Sequence, residues 1–174
     1  VNPFGSSTAD MIQKALVTGE VMKLFKSYRS TYEITDFAQK IRTNTDLEPV
    51  ARHGEKPRVL QYNNEKEELS SIKELIATYQ ASAYKSLGIV CKTESQACEM
   101  ADKLQIPDIH FLSNQNSAFV QGIVIISAHM AKGLEFDEVI IPQTDDKNYH
   151  SEIDRSMLYV AVTRAMHRLT LTYS

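Results

Sequence analysis

Cysteine is scarce in this sequence. Two residues, Cys91 and Cys98, cannot build a disulfide framework. Neither has a second pair or nearby histidines at zinc-ligand spacing, so both read as reduced residues of the core or its margin. Long apolar runs are missing too. The longest, residues 122–126 and 139–142, fall far short of a membrane span. Residues 1–5 carry neither a basic n-region nor an apolar h-region. A cytoplasmic protein with no membrane contact is the expectation. Neither sign of charge dominates: the formal net charge is −3 and the pI about 6.0. No basic stripe announces a nucleic-acid binder. Any contact with DNA or RNA must rest on a few placed residues.

Two signature motifs are also missing. No G-x-x-x-x-G-K-[ST] occurs, so the chain has no phosphate cradle of that type. No acidic run after an apolar strand reads as a magnesium site. Asp145 and Asp146 follow Ile141 and Pro142, but in a polar stretch that reads as a solvated turn. Phosphoryl transfer needs both cradle and metal, so the chain alone is expected not to hydrolyse ATP. No metal site is expected on it. The lack of G-x-G-x-x-G after a strand argues against a Rossmann-type enzyme.

What is present is a core-forming sequence, 43% hydrophobic over 174 residues, enough for one domain. Strand-like and helix-like stretches alternate. Helices are expected at 7–18, behind an S-x-x-E box formed by Ser30 and Glu33, behind Asn64 and Glu67, behind Thr93 up to Pro107, and behind Ser151 and Asp154. Strands are expected at 21–25, 58–62, 88–91, 109–112, 122–127, 137–141 and 168–173. Residues 43–57, polar and holding Pro49, His53, Gly54 and Pro57, read as a loop. Strands separated by helices imply crossover units and a mostly parallel sheet, and Val/Ile-rich strands imply burial on both faces. The expected fold is therefore a three-layer α/β/α domain. Ligands on such sheets bind at the carboxyl ends of the strands. That directs attention to 27–31, Lys92 with Thr93, 128–135, and the helix ending at Arg164.

Each segment has a plain and a functional reading. Arg29 could reach an anion and Tyr28 could stack on a base, or both could be ordinary surface residues. In 127–136 a lysine, a permissive glycine and a carboxylate could line a site, or Gly133 could simply turn a loop at positive φ. Arg164 near a helix C-terminus is fully explained by the helix dipole, or it is an arginine finger.

The order of four segments resolves the choice. "SYRST" at 27–31 looks like motif IV of the UvrD/Rep/PcrA class of superfamily 1 helicases. "KTESQA" at 92–97 resembles motif IVa, which in that class more often reads R-T-N-A-Q-S. "SAHMAKGLEFDEVII" at 127–141 is similar to motif V, and "LYVAVTRAMHRLTL" at 158–171 to motif VI. The resemblance implies a RecA-like domain of the P-loop NTPase type that lacks the P-loop itself, spanning 1–174. The chain would be the second motor domain of a longer protein, beginning just past motif III. ATP with Mg2+ would sit in a cleft against a first RecA-like domain that holds the metal. Tyr28 would stack on adenine, and Arg29 and Arg164 would contact the γ-phosphate. Glu135 would bind the ribose, with Gly133 allowing close approach. Lys92, Thr93 and His129 would touch single-stranded DNA, while Lys132 would support its loop.

There are two departures. Glu94 stands where the family commonly has asparagine, and a carboxylate repels a phosphate backbone. Only residues 113–121 stand where the class carries a large inserted domain. That gap, with "KSYRST" and "TRAMH", looks closest to the HelD branch of helicase-like ATPases, which bind bacterial RNA polymerase. An ordinary DNA helicase and a non-catalytic RecA-like binding module remain alternatives.

Overall fold

The computed structural model of the chain describes residues 26–27, 29–42, 48–49, 51–112 and 121–174. The expected helix at 7–18, the expected strand at 21–25 and Tyr28 lie outside the described residues. In chain order the elements are β1 (Lys26–Ser27), α1 (Tyr32–Ile41), β2 (Glu48–Pro49), β3 (Arg58–Gln61), α2 (Glu65–Gln80), β4 (Ser86–Cys91) and α3 (Glu94–Leu104). They continue with β5 (Ile109–Phe111), β6 (Gly122–Ser127), β7 (Phe136–Ile141), α4 (Glu152–Val162) and β8 (Ala165–Tyr173).

Six strands form one sheet in the order β3-β8-β7-β4-β6-β5, and every neighbouring pair is parallel. The central strands are apolar on both faces because helices cover both. Val90, Val124, Ile126, Val139, Ile141 and Leu169 pack with α1 and α4 on one side. Leu87, Ile89, Ile123, Ile125 and Ile140 pack with α2 and α3 on the other. Successive residues of one strand thus serve opposite layers, as the pleat requires. Each fully buried Ile or Leu contributes roughly 1.5–3 kcal/mol against leaving it in water. The result is the expected three-layer α/β/α, RecA-like domain.

Local signals explain most helix starts. Asn64 accepts from the Glu67 backbone N–H at the start of α2. Thr93 and Gln96 form a reciprocal capping box on α3, as do Ser151 and Asp154 on α4. α3 stops at Gln105, which takes a left-handed conformation ahead of Pro107. The Ser30–Glu33 box does not form. Thr31 is the N-cap of α1 and makes no side-chain cap bond. Ser30 Oγ instead donates to the Ala165 carbonyl at 2.6 Å, and Glu33 accepts from Gly54 N at 2.8 Å. Tertiary partners outbid the local cap.

Three further boundaries differ from expectation. A two-residue strand, β2, pairs in parallel with β1 inside the stretch read as loop. The last helix ends at Val162, with Thr163 as C-cap, so Arg164 lies past the helix. β8 then starts at Ala165, ahead of the expected 168, because Ala165 is fully buried and registers with Phe136 of β7. Cys91 is buried, and burial pushes its thiol pKa up to about 12, whereas Cys98 is exposed on α3.

Candidate nucleotide and nucleic-acid sites

The topology divides the sequence-predicted residues between two opposite edges of the sheet. β7 and β8 run parallel to β4, with Leu87 opposite Glu138 and Phe136 opposite Ala165. Glu135 and Arg164 directly precede these strands, so they lie at the amino edge. This corrects the expectation that all the candidate segments gather at the carboxyl ends. Residues 128–135 leave β6 at the carboxyl edge and return across the sheet to start β7. α4 makes the same journey before β8.

At the amino edge, three candidates come together. The Phe136 N–H donates to the Arg164 carbonyl at 3.0 Å, locking the two segments side by side. Arg29 Nε donates to Glu135 Oε1, and both side chains are about two-fifths exposed. The Arg164 guanidinium is half-buried and fixed by backbone. Its Nε donates to Val160 O at 3.1 Å and its Nη1 to Leu134 O at 3.2 Å. Its Nη2 donates to Thr163 Oγ1 at 3.2 Å. Burial, and then the charge of Arg29, lower the Arg164 pKa, while Glu135 and Tyr159 oppose that shift. Arg29 thus pairs with Glu135, and Arg164 lies close enough for the charges of both to act on it. Gly133 has φ +94°, and a Cβ built there would meet nothing within 4 Å. Glycine is required here by backbone conformation, not by crowding.

At the carboxyl edge, Cys91 of β4 registers with Ser127 of β6. That places Lys92, Thr93 and His129 near one another in the fold. Lys92 is mostly buried and forms an ion pair with Asp154 Oδ1 at 2.6 Å. It also donates to the Asn148 carbonyl and lies 5.7 Å from the Tyr149 ring centre. The Lys92 ammonium, then the Ser151 cap bonds, hold the Asp154 carboxyl below the usual carboxylate range. Thr93 caps α3. His129 is exposed and lines, with Lys132, Ile153, Met157 and Val160, an open groove of about 190 Å³. Asp145 accepts from the N–H groups of Lys147 and Asn148, the turn that the sequence suggested.

Sequence reasoning missed several residues. Asp154 was read only as a cap, but it also pairs with Lys92. Arg52, inside a stretch read as loop, donates to the carbonyls of Arg29 and Met166. Glu138 is fully buried beside Arg168, at 3.2 Å; burial raises its pKa and Arg168 opposes that shift. No local sequence signal marks such pairs, because their members lie far apart in sequence on separate segments.

A parallel α/β/α sheet of this order is consistent with a RecA-like domain. A family model described as the UvrD-like helicase C-terminal domain matches residues 109–174. DNA helicase II of Escherichia coli (strain K12) is 34% identical over 70 residues, covering 34% of this chain and 10% of that protein. The DNA helicase II of Salmonella typhimurium (strain LT2) matches to the same extent. The chain therefore spans about a tenth of the length of these curated relatives. The crystal structure of the C-terminal domain of a possible DNA helicase from Lactobacillus plantarum WCFS1 superposes with a TM-score of 0.72. It is 30% identical, with 84% of this chain and 87% of that chain covered. The chain belongs to the family of UvrD-like helicase C-terminal domains.

Proposed function

We propose that this chain is the second motor domain of an ATP-driven superfamily 1 helicase or translocase and supplies the arginines that act on the γ-phosphate. The observation that carries this reading is the amino-edge corner, where Arg29 pairs with Glu135 and the backbone-held Arg164 feels the charges of both. Two arginines set beside one described carboxylate fit an anionic ligand. When bound against a first motor domain, ATP with Mg2+ would supply the phosphoryl group and the metal. Arg164, already oriented by three hydrogen bonds, would stabilise charge on the transferring group without reorganising. Arg29 would swing from Glu135 to the phosphate, which would release Glu135 to accept from the ribose hydroxyls. Arg29 and Glu135 hold each other in this structure, so both would change partner together. Cleft closure would complete the set and couple hydrolysis to movement along single-stranded DNA.

At the opposite edge, His129 is the exposed candidate for a nucleic-acid backbone contact. Lys92, tied to Asp154, would serve mainly to shape that edge.

The test is Arg164→Ala in the protein that carries this chain. ATP turnover should fall about a thousandfold or more, the scale of an arginine finger. The circular-dichroism spectrum of the variant should remain that of a folded α/β domain. Turnover at the wild-type rate would sink the proposal.

A second reading differs in partner. The short stretch 113–121, where the UvrD class inserts a domain, favours a HelD-like ATPase acting on RNA polymerase. DNA-stimulated turnover with strand separation supports the helicase. Co-purification with RNA polymerase and poor unwinding support the other.

A further inference from the structure

Arg29 belongs to neither helix nor strand; it lies between β1 and α1. A residue that must reach a phosphate to within an ångström cannot rely on a free connecting segment. The structure supplies an external restraint in residues 52–55. Arg52 Nη2 donates to the Arg29 carbonyl at 2.7 Å and to the Met166 carbonyl at 2.8 Å. One nitrogen therefore joins the backbone of Arg29 to the strand that begins one residue after Arg164. The next residues reinforce the joint. The Tyr32 N–H donates to the Arg52 carbonyl at 2.8 Å. The His53 ring and the Gly54 N–H each bond Glu33 at 2.8 Å. Glu55 pairs with Arg168 of β8 at 2.9 Å. Gly54 passes so close that a Cβ there would lie 2.6 Å from Thr31 Cγ2.

We propose that residues 52–55 form a strap that sets the position of Arg29 relative to Arg164, with Arg52 as its positioning residue. The inference rests on the proposed role of Arg29 in phosphoryl transfer. Among the described residues the Arg52 side chain bonds two backbone carbonyls, one on Arg29 and one on β8 beside Arg164, so it acts on the spacing of the two arginines rather than on the nucleotide. Two consequences separate it from a residue that merely supports the fold. Loss of Arg52 should lower kcat and leave the nucleotide KM near wild type, because orientation matters in the transition state and less in binding. Its effect should also vanish once Arg29 is gone, because two residues acting as a unit are not additive.

The experiment compares Arg29→Ala, Arg52→Ala, Arg52→Lys and the Arg29→Ala/Arg52→Ala double variant in the protein carrying this chain, by steady-state ATP turnover. Arg52→Ala should slow turnover about ten- to a hundredfold, the cost of a misplaced catalytic group. Arg52→Lys, whose ammonium can still bond two carbonyls, should recover part of it. The double variant should be no slower than Arg29→Ala. Wild-type turnover in Arg52→Ala, or a double variant slower by the product of both losses, overturns the strap. Loss of fold in both Arg52 variants also overturns it, because the strap then serves the fold. Wild-type turnover in Arg29→Ala overturns the proposed role of Arg29 itself, a result distinct from the others.

Discussion

Glu33 shows how one side chain can be reassigned by its surroundings. Its spacing from Ser30 suits a capping box, yet its carboxylate faces the His53 ring and the Gly54 N–H. The His53 hydrogen bond, followed by backbone N–H bonds, lowers its pKa from the ordinary 4.5 to about 2. A carboxylate whose folded pKa lies below its unfolded one stabilises the fold above the unfolded value. That contribution is lost as pH falls from about 4.5 through about 2. Glu33→Gln should therefore lose less of its urea midpoint between pH 5 and pH 3 than wild type does. Equal losses would show that the His53 contact does not govern acid stability. Glu135 presents a different case, because its carboxylate is shared between a resting partner and a proposed ligand. Glu135→Ala should raise the nucleotide KM several-fold, with a smaller effect on kcat, in steady-state kinetics. A fall in kcat at constant KM would contradict the ribose role.

Among the elements, β4 is the most constrained. It lies between β7 and β6, and Gly88 at its centre lies against the ring of Phe136. A Cβ on Gly88 would approach Phe136 Cδ2 to 2.6 Å, and Phe136 is completely buried. Gly88→Ala should therefore destabilise the domain by about 1–3 kcal/mol, measured by urea unfolding. Adding Phe136→Leu should return part of that loss. A neutral Gly88→Ala would mean that the ring moves aside freely. The strands and helices themselves were largely legible. Apolar runs such as 122–127 mark buried strands, and Asn64, Thr93 and Ser151 mark helix starts. Strand order was not legible. Nothing in residues 136–141 says that β7 lies beside β4 and β8; the edge was implicit, because Glu135 and Arg164 each precede an expected strand of a parallel sheet. The candidate residues were named by motif, but the contacts that join Arg29 to Glu135 and fix Arg164 came from the structure.

At the scale of the whole molecule, a phosphate cradle is missing from the sequence and two arginines and a carboxylate occupy one edge. On the proposed reading, such an arrangement would answer a phosphate held elsewhere. The chain alone should show no ATP turnover above background with Mg2+ present, in a phosphate-release assay. Measurable turnover would mean that this domain carries a cradle of another kind.

Residues 128–135 carry a consequence of a different sort. They cross the width of the sheet between two parallel strands, where a connection of a dozen residues or more is usual. Successive turns take up what little length there is: Ala131 N–H reaches Ser127 O, Lys132 N–H reaches His129 O, and Leu134 N–H reaches Ala131 O. Surface loops ordinarily accept added residues. This one acts as a ruler, and an extra residue would shift Glu135 against β7 or His129 against β6. Across related sequences, its length should therefore vary less than its composition.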